Sequence, residues 1–473
     1  MNKSSLFNYS VVTIILLLSL SSFTNVEVKV YGIIFIKADG SIEGTNRIDR
    51  KGNLYTFTSD IKGSIEVHIG GIVIDGDGHS IETSGIVDGE TIGVKLSVIE
   101  NITIKNLIIR EFTNEYGSGL ALQIASSQNI LVENCNLTKN GKGIFITDSQ
   151  NVNVTKNRIT KHFQRGIIAS GSKNISIDNN YILGESGFID NNGLVIAGNE
   201  QIIISNNNVS SSSYGIELSH SYGAIVFRNY FTSNDIGIYI IYGGENLVKE
   251  NTVINNERFG IRLSSGENYP ANIIYHNNFI DNNMDNISEE LQVSNPWFFG
   301  PESNIWDNGQ EGNFWSDYTL RYPNVTRKET PEIWLIDFFI NPENIDNYPL
   351  VNPWIPDTTP PIISVTSPQN KRYTTTNIPI NCSINEAVEE ITYSIDGHEK
   401  TTFTENFTLT DFSEGEHNLI IYATDIFGNV GSSVTLFFTV DIPESFPTTI
   451  VVVSIVIVVV GLGIFTYFKK RSF

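Results

Sequence analysis

The sequence predicts an all-β chain in three parts: a parallel β-helix, a smaller β-sandwich and one C-terminal transmembrane helix. Glycine recurs at intervals of 22 to 27 residues between Gly93 and Gly260, and a period of this length is typical of a solenoid. Asparagine is a poor helix former, and 36 of the 53 asparagines lie between Asn101 and Asn313, which favours strands and turns there. The uncharged segment 445–468 is long enough to cross a bilayer.

Composition and charge exclude several classes of protein. The 473 residues carry 30 Lys and Arg against 52 Asp and Glu, a net charge of −22, and such an acidic chain is not expected to bind nucleic acid. The hydrophobic fraction of 40% is too high for a disordered acidic chain. The two cysteines, Cys135 and Cys382, cannot form a disulfide framework. No cofactor is expected.

The two ends of the chain set the predicted compartment. Lys3 precedes an apolar run and then small residues, so 1–26 is predicted to be a signal peptide, with an uncleaved anchor as the alternative. Residues 446–468 are the predicted transmembrane helix, for which a buried core helix is the alternative. The cationic tail, 469–473, then lies in the cytoplasm. We therefore expect a single-pass protein of the cell membrane with a large extracellular N-terminal part.

The central repeat predicts three short strands in each coil. After each glycine, apolar and variable residues alternate, as at Ile144 and Ile146, which indicates a strand with one buried face. A second alternating strand and a third inward position follow without a helix, which predicts a parallel β-helix of about ten coils. The recurring glycines are Gly93, Gly119, Gly143, Gly166, Gly193, Gly215, Gly237 and Gly260.

An asparagine follows the second strand of each coil at a constant distance. A stacked amide can hydrogen-bond to the coils on both sides, and asparagine tolerates the left-handed conformation that a bend requires. Cys135 holds the same place in an earlier coil and is interpreted as a small buried substitute rather than a reactive thiol. The predicted structural ladder is Asn157, Asn180, Asn207, Asn229, Asn251 and Asn277.

The β-helix is predicted to cover 30–354 and to end in an aromatic cap that contains all five tryptophans. A platform for sugar rings is the alternative interpretation of these aromatic residues. Residues 355–361 form a Pro-rich linker. Short alternating strands with glycine turns over 362–441 then predict the β-sandwich.

Several segments resemble the NosD-like right-handed parallel β-helix proteins, most closely the membrane-anchored versions on archaeal cell surfaces. The sandwich resembles Ig-like modules of prokaryotic surfaces. The resemblance implies a right-handed β-helix with carbohydrate binding or sugar hydrolysis, and for the family's namesake a part in copper-enzyme maturation. Copper sites favour Met, Cys and His clusters, whereas this chain has two Met, two Cys and seven scattered His. The segments that carry the resemblance are the repeat, Val73 to Ile81, Gly312 to Tyr318, Asp346 to Leu350, Gly415 to Leu419 and Ala423 to Asn429.

The outward columns of the repeat show no pair of acids on neighbouring coils, so the sequence predicts no catalytic residue of the kind that glycoside hydrolysis needs. Asp75, Asp77 and His79 superficially resemble a hydrolase site, but Asp and Gly are also favoured in turns. One outward column is apolar, then aromatic and charged, as at a partner surface or beneath a loop such as 184–192. The predicted binding residues are Phe145, Ile168, Val195, Glu217, Tyr239 and Arg262. No metal site is predicted.

The leading hypothesis is a membrane-anchored surface protein that binds glycans or proteins in adhesion without catalysis. A membrane-tethered polysaccharide hydrolase or lyase is the alternative, and a structural envelope component is the second alternative. The expected partners are the membrane, surface glycans and other envelope proteins. About half of nine N-x-S/T sequons are expected to be glycosylated: Asn101, Asn136, Asn153, Asn174, Asn208, Asn286, Asn324, Asn381 and Asn406.

Overall fold

The computed structural model describes residues 32–83, 91–114, 117–185, 190–264, 269–282, 296–298, 303–329, 331–425, 428–443 and 448–470. The chain divides into two compact units, Met1–Trp354 and Ile355–Phe473. The predicted signal peptide lies outside the described residues, so it stays a prediction.

The first unit is a β-solenoid of about nine turns, and the chain is a right-handed β-helix repeat protein. Each turn contributes one strand to each of three parallel sheets, which we call sheets 1, 2 and 3 in the order in which the chain visits them. The expectation of about ten coils counted the irregular first coil, where Ile42–Glu43 pairs antiparallel with Ile33–Ile36 and Ile48–Lys51 pairs antiparallel with Leu54–Phe57.

The strands of the three sheets have the following bounds. The parallel strands of sheet 1 are Ile33–Ile36, Ser64–Val67, Ile92–Ser97, Leu120–Ala125, Lys142–Thr147, Arg165–Ser170, Asn192–Ala197, Tyr214–Ser219, Ile236–Ile241, Phe259–Ser264 and Pro296–Phe298. Those of sheet 2 are Leu54–Phe57, Ile72–Asp75, Glu100–Lys105, Gln128–Glu133, Gln150–Thr155, Lys173–Asp178, Glu200–Ser205, Ile225–Phe227, Leu247–Lys249 and Ile273–Tyr275. Those of sheet 3 are Ile61–Lys62, Ser80–Glu82, Ile108–Arg110, Asn136–Thr138, Arg158–His162, Tyr181–Gly184, Asn208–Ser210, Tyr230–Thr232, Thr252–Ile254, Asn278–Ile280 and Phe314–Trp315.

The glycine column lines the start of sheet 1, where successive coils approach closely. A Cβ on Gly166 would lie 2.5 Å from the Gly193 carbonyl oxygen and 2.7 Å from the side chain of Ile182. One predicted member is wrong: Leu122 pairs with both Val94 and Ile144, which places Ala121, not Gly119, in this column. Gly119 instead adopts a φ of +138° in the preceding turn.

The six predicted ladder asparagines are buried in one column at the corner between sheets 2 and 3. Each backbone N–H donates to the side-chain oxygen of the next asparagine, over distances of 2.9 to 3.1 Å. Cys135 begins this column, where its N–H donates to Asn157 at 2.9 Å. Asn313 ends it by donating its N–H to Asp346 Oδ2 at 2.8 Å. From Cys135 onward, the backbone N–H at each bend of this corner is therefore hydrogen-bonded to a side chain of the coil that follows.

The left-handed residue at this corner is not the asparagine of the ladder. Positive φ angles fall on the preceding residue, for example 55° at Lys156, 54° at Arg228 and 60° at Glu250. The ladder asparagines therefore do not adopt the left-handed conformation themselves, although asparagine holds the bend at Asn134, Asn179 and Asn206. The ladder amide is needed for the buried hydrogen bonds, while the bend itself also accepts charged side chains, exposed at Lys156 and buried in an ion pair at Glu250.

The last coils of the unit close in an aromatic cap. Trp306 and Trp315 extend the hydrophobic core, and the Trp315 ring stacks on Phe279 at 4.7 Å and on Phe338 at 4.3 Å. Because both tryptophans are buried, they cannot offer their faces to sugar rings. The remaining elements of the cap are a short helix, Tyr318–Arg321, and two hairpins, Arg327–Glu329 with Glu332–Trp334 and Phe338–Asn341 with Asn344–Asp346.

The second unit contains two small sheets around a core that includes Ile378, Leu419 and Phe438. The Ig-like assignment of these sheets stays a prediction. One sheet comprises Ile363–Ser367, Ile378–Ile384 and Phe407–Leu409. The other comprises Arg372–Tyr373, Val388–Ile395, Thr401–Thr402, Gly415–Asp425, Val430–Ser432 and Leu436–Val440.

The chain ends in a helix, Thr448–Lys470. Within the described part of the chain, no helix meets the length and apolarity that crossing a membrane requires. The predicted span, 446–468, lies partly outside that part, so the membrane anchor stays a prediction.

Candidate functional site

The six predicted binding residues lie side by side on the outer face of sheet 1, one on each of six successive coils. Ile168, Val195 and Tyr239 are nevertheless 7 to 8% exposed, so neighbouring side chains cover them. Phe145, Glu217 and Arg262 remain half-exposed. The column is therefore accessible at Glu217 and at its two ends, Phe145 and Arg262, and covered at the three positions between them. On the preceding coil, Gln123 holds the corresponding position, where it pairs with Phe145.

Glu217 is the one carboxylate in the column between Phe145 and Arg262. Its Oε2 accepts a hydrogen bond from Asn192 Nδ2 at 2.8 Å. Burial raises the pKa of Glu217, an effect that the Arg165 charge and the Asn192 amide partly oppose and that Asp190 reinforces. A half-buried carboxylate with one oxygen held in place can accept hydrogen bonds from ligand hydroxyls through the other.

Aromatic and guanidinium groups pack against one another beside this carboxylate. The Tyr214 and Tyr239 rings lie 5.0 Å apart and are tilted by 58°, while the Arg262 guanidinium carbon lies 4.9 Å from the Tyr239 ring centroid. Burial raises the pKa of Tyr214, so its phenol keeps its proton and remains a donor. Flat rings, a guanidinium group and a carboxylate on neighbouring coils form the surface that we call the sheet 1 site.

Several buried polar groups lie at the base of the sheet 1 site, where the connection from sheet 3 enters sheet 1. Among the residues that the structure describes, neither ring nitrogen of His162 has a hydrogen-bond partner, and the same holds for Arg165 Nε and Asn192 Oδ1. Burial lowers the pKa of His162 to about 4, although the Asn192 backbone favours the protonated form. His162 is therefore neutral at ordinary pH and offers one donor and one acceptor.

The column itself places no second carboxylate beside Glu217, although the charge of Asp190, two residues before Asn192, acts on Glu217. Glycoside hydrolysis uses a pair of carboxyl groups roughly 5 to 10 Å apart, and the neighbours of Glu217 in its column are Val195 and Tyr239. Asp75 belongs to a turn, where it accepts hydrogen bonds from the Asp77 N–H and the Asn106 amide, both at 3.0 Å. The column thus suits binding better than acid–base hydrolysis.

The candidate metal-binding cluster of the described residues lies away from the sheet 1 site in sequence. The one His, Cys, Asp or Glu cluster found among the described residues lies in the second unit, where Asp357, Glu386 and Asp425 bring ligand oxygens within 4.8 Å of one another. Asp425 also accepts hydrogen bonds from the Asn429 N–H and amide. These ligands are all carboxylates, whereas copper favours imidazole and sulfur, so this cluster does not fit a copper centre.

The sequons differ in accessibility. Asn101 and Asn174 belong to an exposed amide ladder with Asn129 and Asn151 on sheet 2, with spacings of 2.7 to 3.0 Å. Asn286 lies outside the described residues. The exposed sequon asparagines are Asn101, Asn153, Asn174, Asn324 and Asn406, and the half-buried ones are Asn136, Asn208 and Asn381.

Sequence reasoning missed the other ladders and an exposed apolar strip. Ser127, Ser149, Ser172 and Asn199 form a ladder between sheets 1 and 2, with spacings of 2.9 to 3.1 Å. A third column, Asn234, Asn256 and Asn282, lines the corner between sheets 3 and 1. The strip lies on sheet 2 at Ile203, Ile225, Leu247, Ile273 and Ile305. The sequence does indicate this strip, because apolar and polar residues no longer alternate in runs such as Ile202-Ile203-Ile204.

Comparison with known proteins is consistent with the observed fold. The family model described as "Right handed beta helix region" matches residues 70–189, and the one described as "Periplasmic copper-binding protein (NosD)" matches residues 186–320. Halomucin of Haloquadratum walsbyi is 35% identical over 105 residues, which are 20% of this chain and 1% of Halomucin.

Two solved structures are similar in fold at low identity. The lacto-N-biosidase from Eubacterium ramulus is 14% identical with a TM-score of 0.38, over 53% of this chain and 51% of that enzyme. The periplasmic alginate epimerase AlgG is 15% identical with a TM-score of 0.35, over 58% of this chain and 80% of that enzyme. This chain therefore spans about half the length of the first enzyme, and TM-scores below 0.5 extend neither activity to it.

Proposed function

We propose that this chain is a membrane-anchored surface protein that binds glycans at the sheet 1 site. The observation that carries the proposal is the hydrogen-bonded Glu217 and Asn192 pair. Beside it, the half-exposed Tyr214 ring and Arg262 guanidinium pack against the buried Tyr239 ring. Sugars present hydroxyls in the ring plane and C–H groups on the ring faces. Charged hydrogen-bonding groups match the hydroxyls, and aromatic faces match the C–H groups.

The anchor belongs to the same proposal. Residues 446–468 would hold the chain in the membrane with 469–473 inside, and the β-helix would then face outward. Truncation after Asp441 is expected to move the chain from the membrane fraction to the soluble fraction. A truncated chain that remains in the membrane fraction would contradict the assigned anchor.

The test is a glycan array together with a polysaccharide degradation assay on the full chain. Glu217→Gln removes the charge but keeps the size, and it is expected to weaken glycan binding at least about ten-fold because hydrogen bonds to charged groups contribute roughly 1.5 to 3 kcal/mol. Glu200→Gln is the matched control, since this exposed carboxylate pairs with Lys173 on sheet 2 at 3.1 Å. Equal effects of both variants would refute the sheet 1 site.

The polysaccharide hydrolase or lyase remains the second candidate because burial raises the pKa of Glu217, as it does for catalytic acids. Release of oligosaccharides by the full chain, lost in Glu217→Gln, would establish that alternative. Binding without release supports the non-enzymatic proposal.

A further inference from the structure

An apolar strip runs along the outer face of sheet 2 over the last five coils. Ile203 pairs with Ile225, Ile225 with Leu247, Leu247 with Ile273, and Ile273 with Ile305. Ile203, Ile273 and Ile305 are 42%, 36% and 48% exposed. On the preceding coil the register position belongs to Ser176, so the strip has a defined beginning.

Aromatic rings border the strip on the turn that enters sheet 2. Tyr222 and Tyr242 are 46% and 44% exposed, and Tyr269 lies 6.4 Å from the Tyr222 ring and 6.1 Å from the Tyr242 ring. Tyr222 stands three residues before Ile225. The tyrosines and the strip therefore belong to the same coils, and together we call them the sheet 2 patch.

The sheet 2 patch carries little net charge on a strongly acidic chain. At its centre, Glu250 pairs with Arg228 at 2.8 Å and with Lys249 at 2.7 Å, so the charges there are paired. Two copies of a chain with a net charge of −22 repel one another over most orientations. That repulsion is reduced at a face on which the charges are paired in this way.

The exposed area sets the strength of the contact. Two tyrosines at about 45% exposure and three isoleucines at about 40% expose on the order of 500 Å² of side chain. Two such faces together bury on the order of 1,000 Å², which is the lower limit for a specific interface and typical of weak, reversible association. A straight strip is also self-complementary about a two-fold axis perpendicular to it.

We propose that the sheet 2 patch is a self-association surface, through which two copies of this chain form a weak, reversible dimer side by side. The proposal is independent of glycan binding, because the patch and the sheet 1 site lie on different sheets. It also predicts the sign of the salt dependence: added salt screens the repulsion between acidic chains and strengthens the apolar contact.

Sedimentation velocity of the full chain in a mild detergent tests the proposal at about 0.1 M and about 1 M sodium chloride, where the screening lengths are about 10 Å and about 3 Å. Wild type is expected to dimerise reversibly and more tightly at high salt. Ile273→Asp is expected to weaken the dimer at least about ten-fold, since it desolvates a charge at the contact. Ile203→Asp, at the first position of the strip, which is more exposed than Ile273, repeats the test in case the first variant unfolds.

Leu320→Asp is the matched control, because Leu320 is 79% exposed in the cap and the substitution changes the net charge equally. It is expected to leave the dimer unchanged. A monomeric wild type at high protein concentration and high salt would overturn the proposal. So would a dimer that both strip variants preserve, or one that salt weakens. A neutral hexasaccharide such as cellohexaose, if bound by monomer in place of dimerisation, would assign the patch to a glycan instead.

Discussion

Asn229 lies in the middle of the buried ladder, and its truncation tests whether the amide column stabilises the solenoid. Its Oδ1 accepts hydrogen bonds from the Asn207 backbone and side chain, both at 2.9 Å. Its Nδ2 donates to the Ile204 carbonyl at 2.9 Å and to Asn251 Oδ1 at 3.0 Å. Nδ2 also donates to the Phe227 carbonyl at 3.0 Å, so Asn229→Ala removes five hydrogen bonds from a fully buried corner.

The expected loss follows from the groups that remain behind. The Asn207 N–H and the Ile204 carbonyl would lose these partners without reaching water, and each buried unsatisfied group costs roughly 1 to 3 kcal/mol. We therefore expect Asn229→Ala to lower the free energy of unfolding by about 4 kcal/mol. The matched control is Asn153→Ala, because Asn153 is exposed on sheet 2, and its expected change is within about 0.5 kcal/mol.

Urea denaturation followed by tryptophan fluorescence measures the difference. All five tryptophans lie between Trp297 and Trp354, so the signal reports on the coils next to the cap. Coils of a solenoid can unfold in succession, and hydrogen exchange at the Asn207 amide provides the local reading. If Asn229→Ala and Asn153→Ala agree within 1 kcal/mol, and the Asn207 amide stays equally protected, the reasoning about orphaned groups is refuted.

Three further predictions concern other parts of the chain. Gly166→Ala should lower the free energy of unfolding by about 1 to 3 kcal/mol, because its Cβ would overlap the Gly193 carbonyl of the next coil. Urea denaturation measures this loss, and an unchanged midpoint would show that the coils can separate locally. Burial raises the pKa of Asp346 to about 7. Protonated Asp346 therefore contributes its full stabilisation below about pH 4, and this contribution is lost as the pH rises through 7. The difference in unfolding free energy between wild type and Asp346→Asn should vary over that range, as urea titrations at several pH values will measure. Burial also raises the pKa of the Cys135 thiol to about 12, and iodoacetamide should label Cys382 in the native chain but Cys135 only after denaturation, as mass spectrometry will detect.

The solenoid was predictable because its inward positions repeat with a fixed period. Alternation at Ile144 and Ile146 requires nothing beyond the sequence, since both side chains enter the core. Register was less certain: Gly119 and Ala121 are two residues apart, and only strand pairing shows that Ala121 holds the column. The ladder of Ser127, Ser149, Ser172 and Asn199 was not predicted from the sequence because serine hydroxyls and an asparagine amide share the column, so no single residue type marks it.

The candidate sites were harder to predict because outward positions are not constrained by the core. The column from Phe145 to Arg262 could be read from the spacing, but not that Ile168 and Tyr239 are covered. Sequence also could not show that Asn192, after a nine-residue insertion, donates to Glu217 on the following coil. Contacts of this kind join residues whose separation varies with loop length, so a repeat period does not reveal them.

The outer faces of one solenoid can carry independent functions because each coil presents three of them. A substitution at Glu217 changes sheet 1, whereas one at Ile273 changes sheet 2, and the core between them consists of packed residues such as Ile216 and Val248 that neither replaces. Substitutions at sites without shared partners are usually additive. Glycan affinity and dimer affinity should therefore respond separately to Glu217→Gln and Ile273→Asp. If one variant alters both, binding and association are coupled through the coils, and the two surfaces are parts of one site.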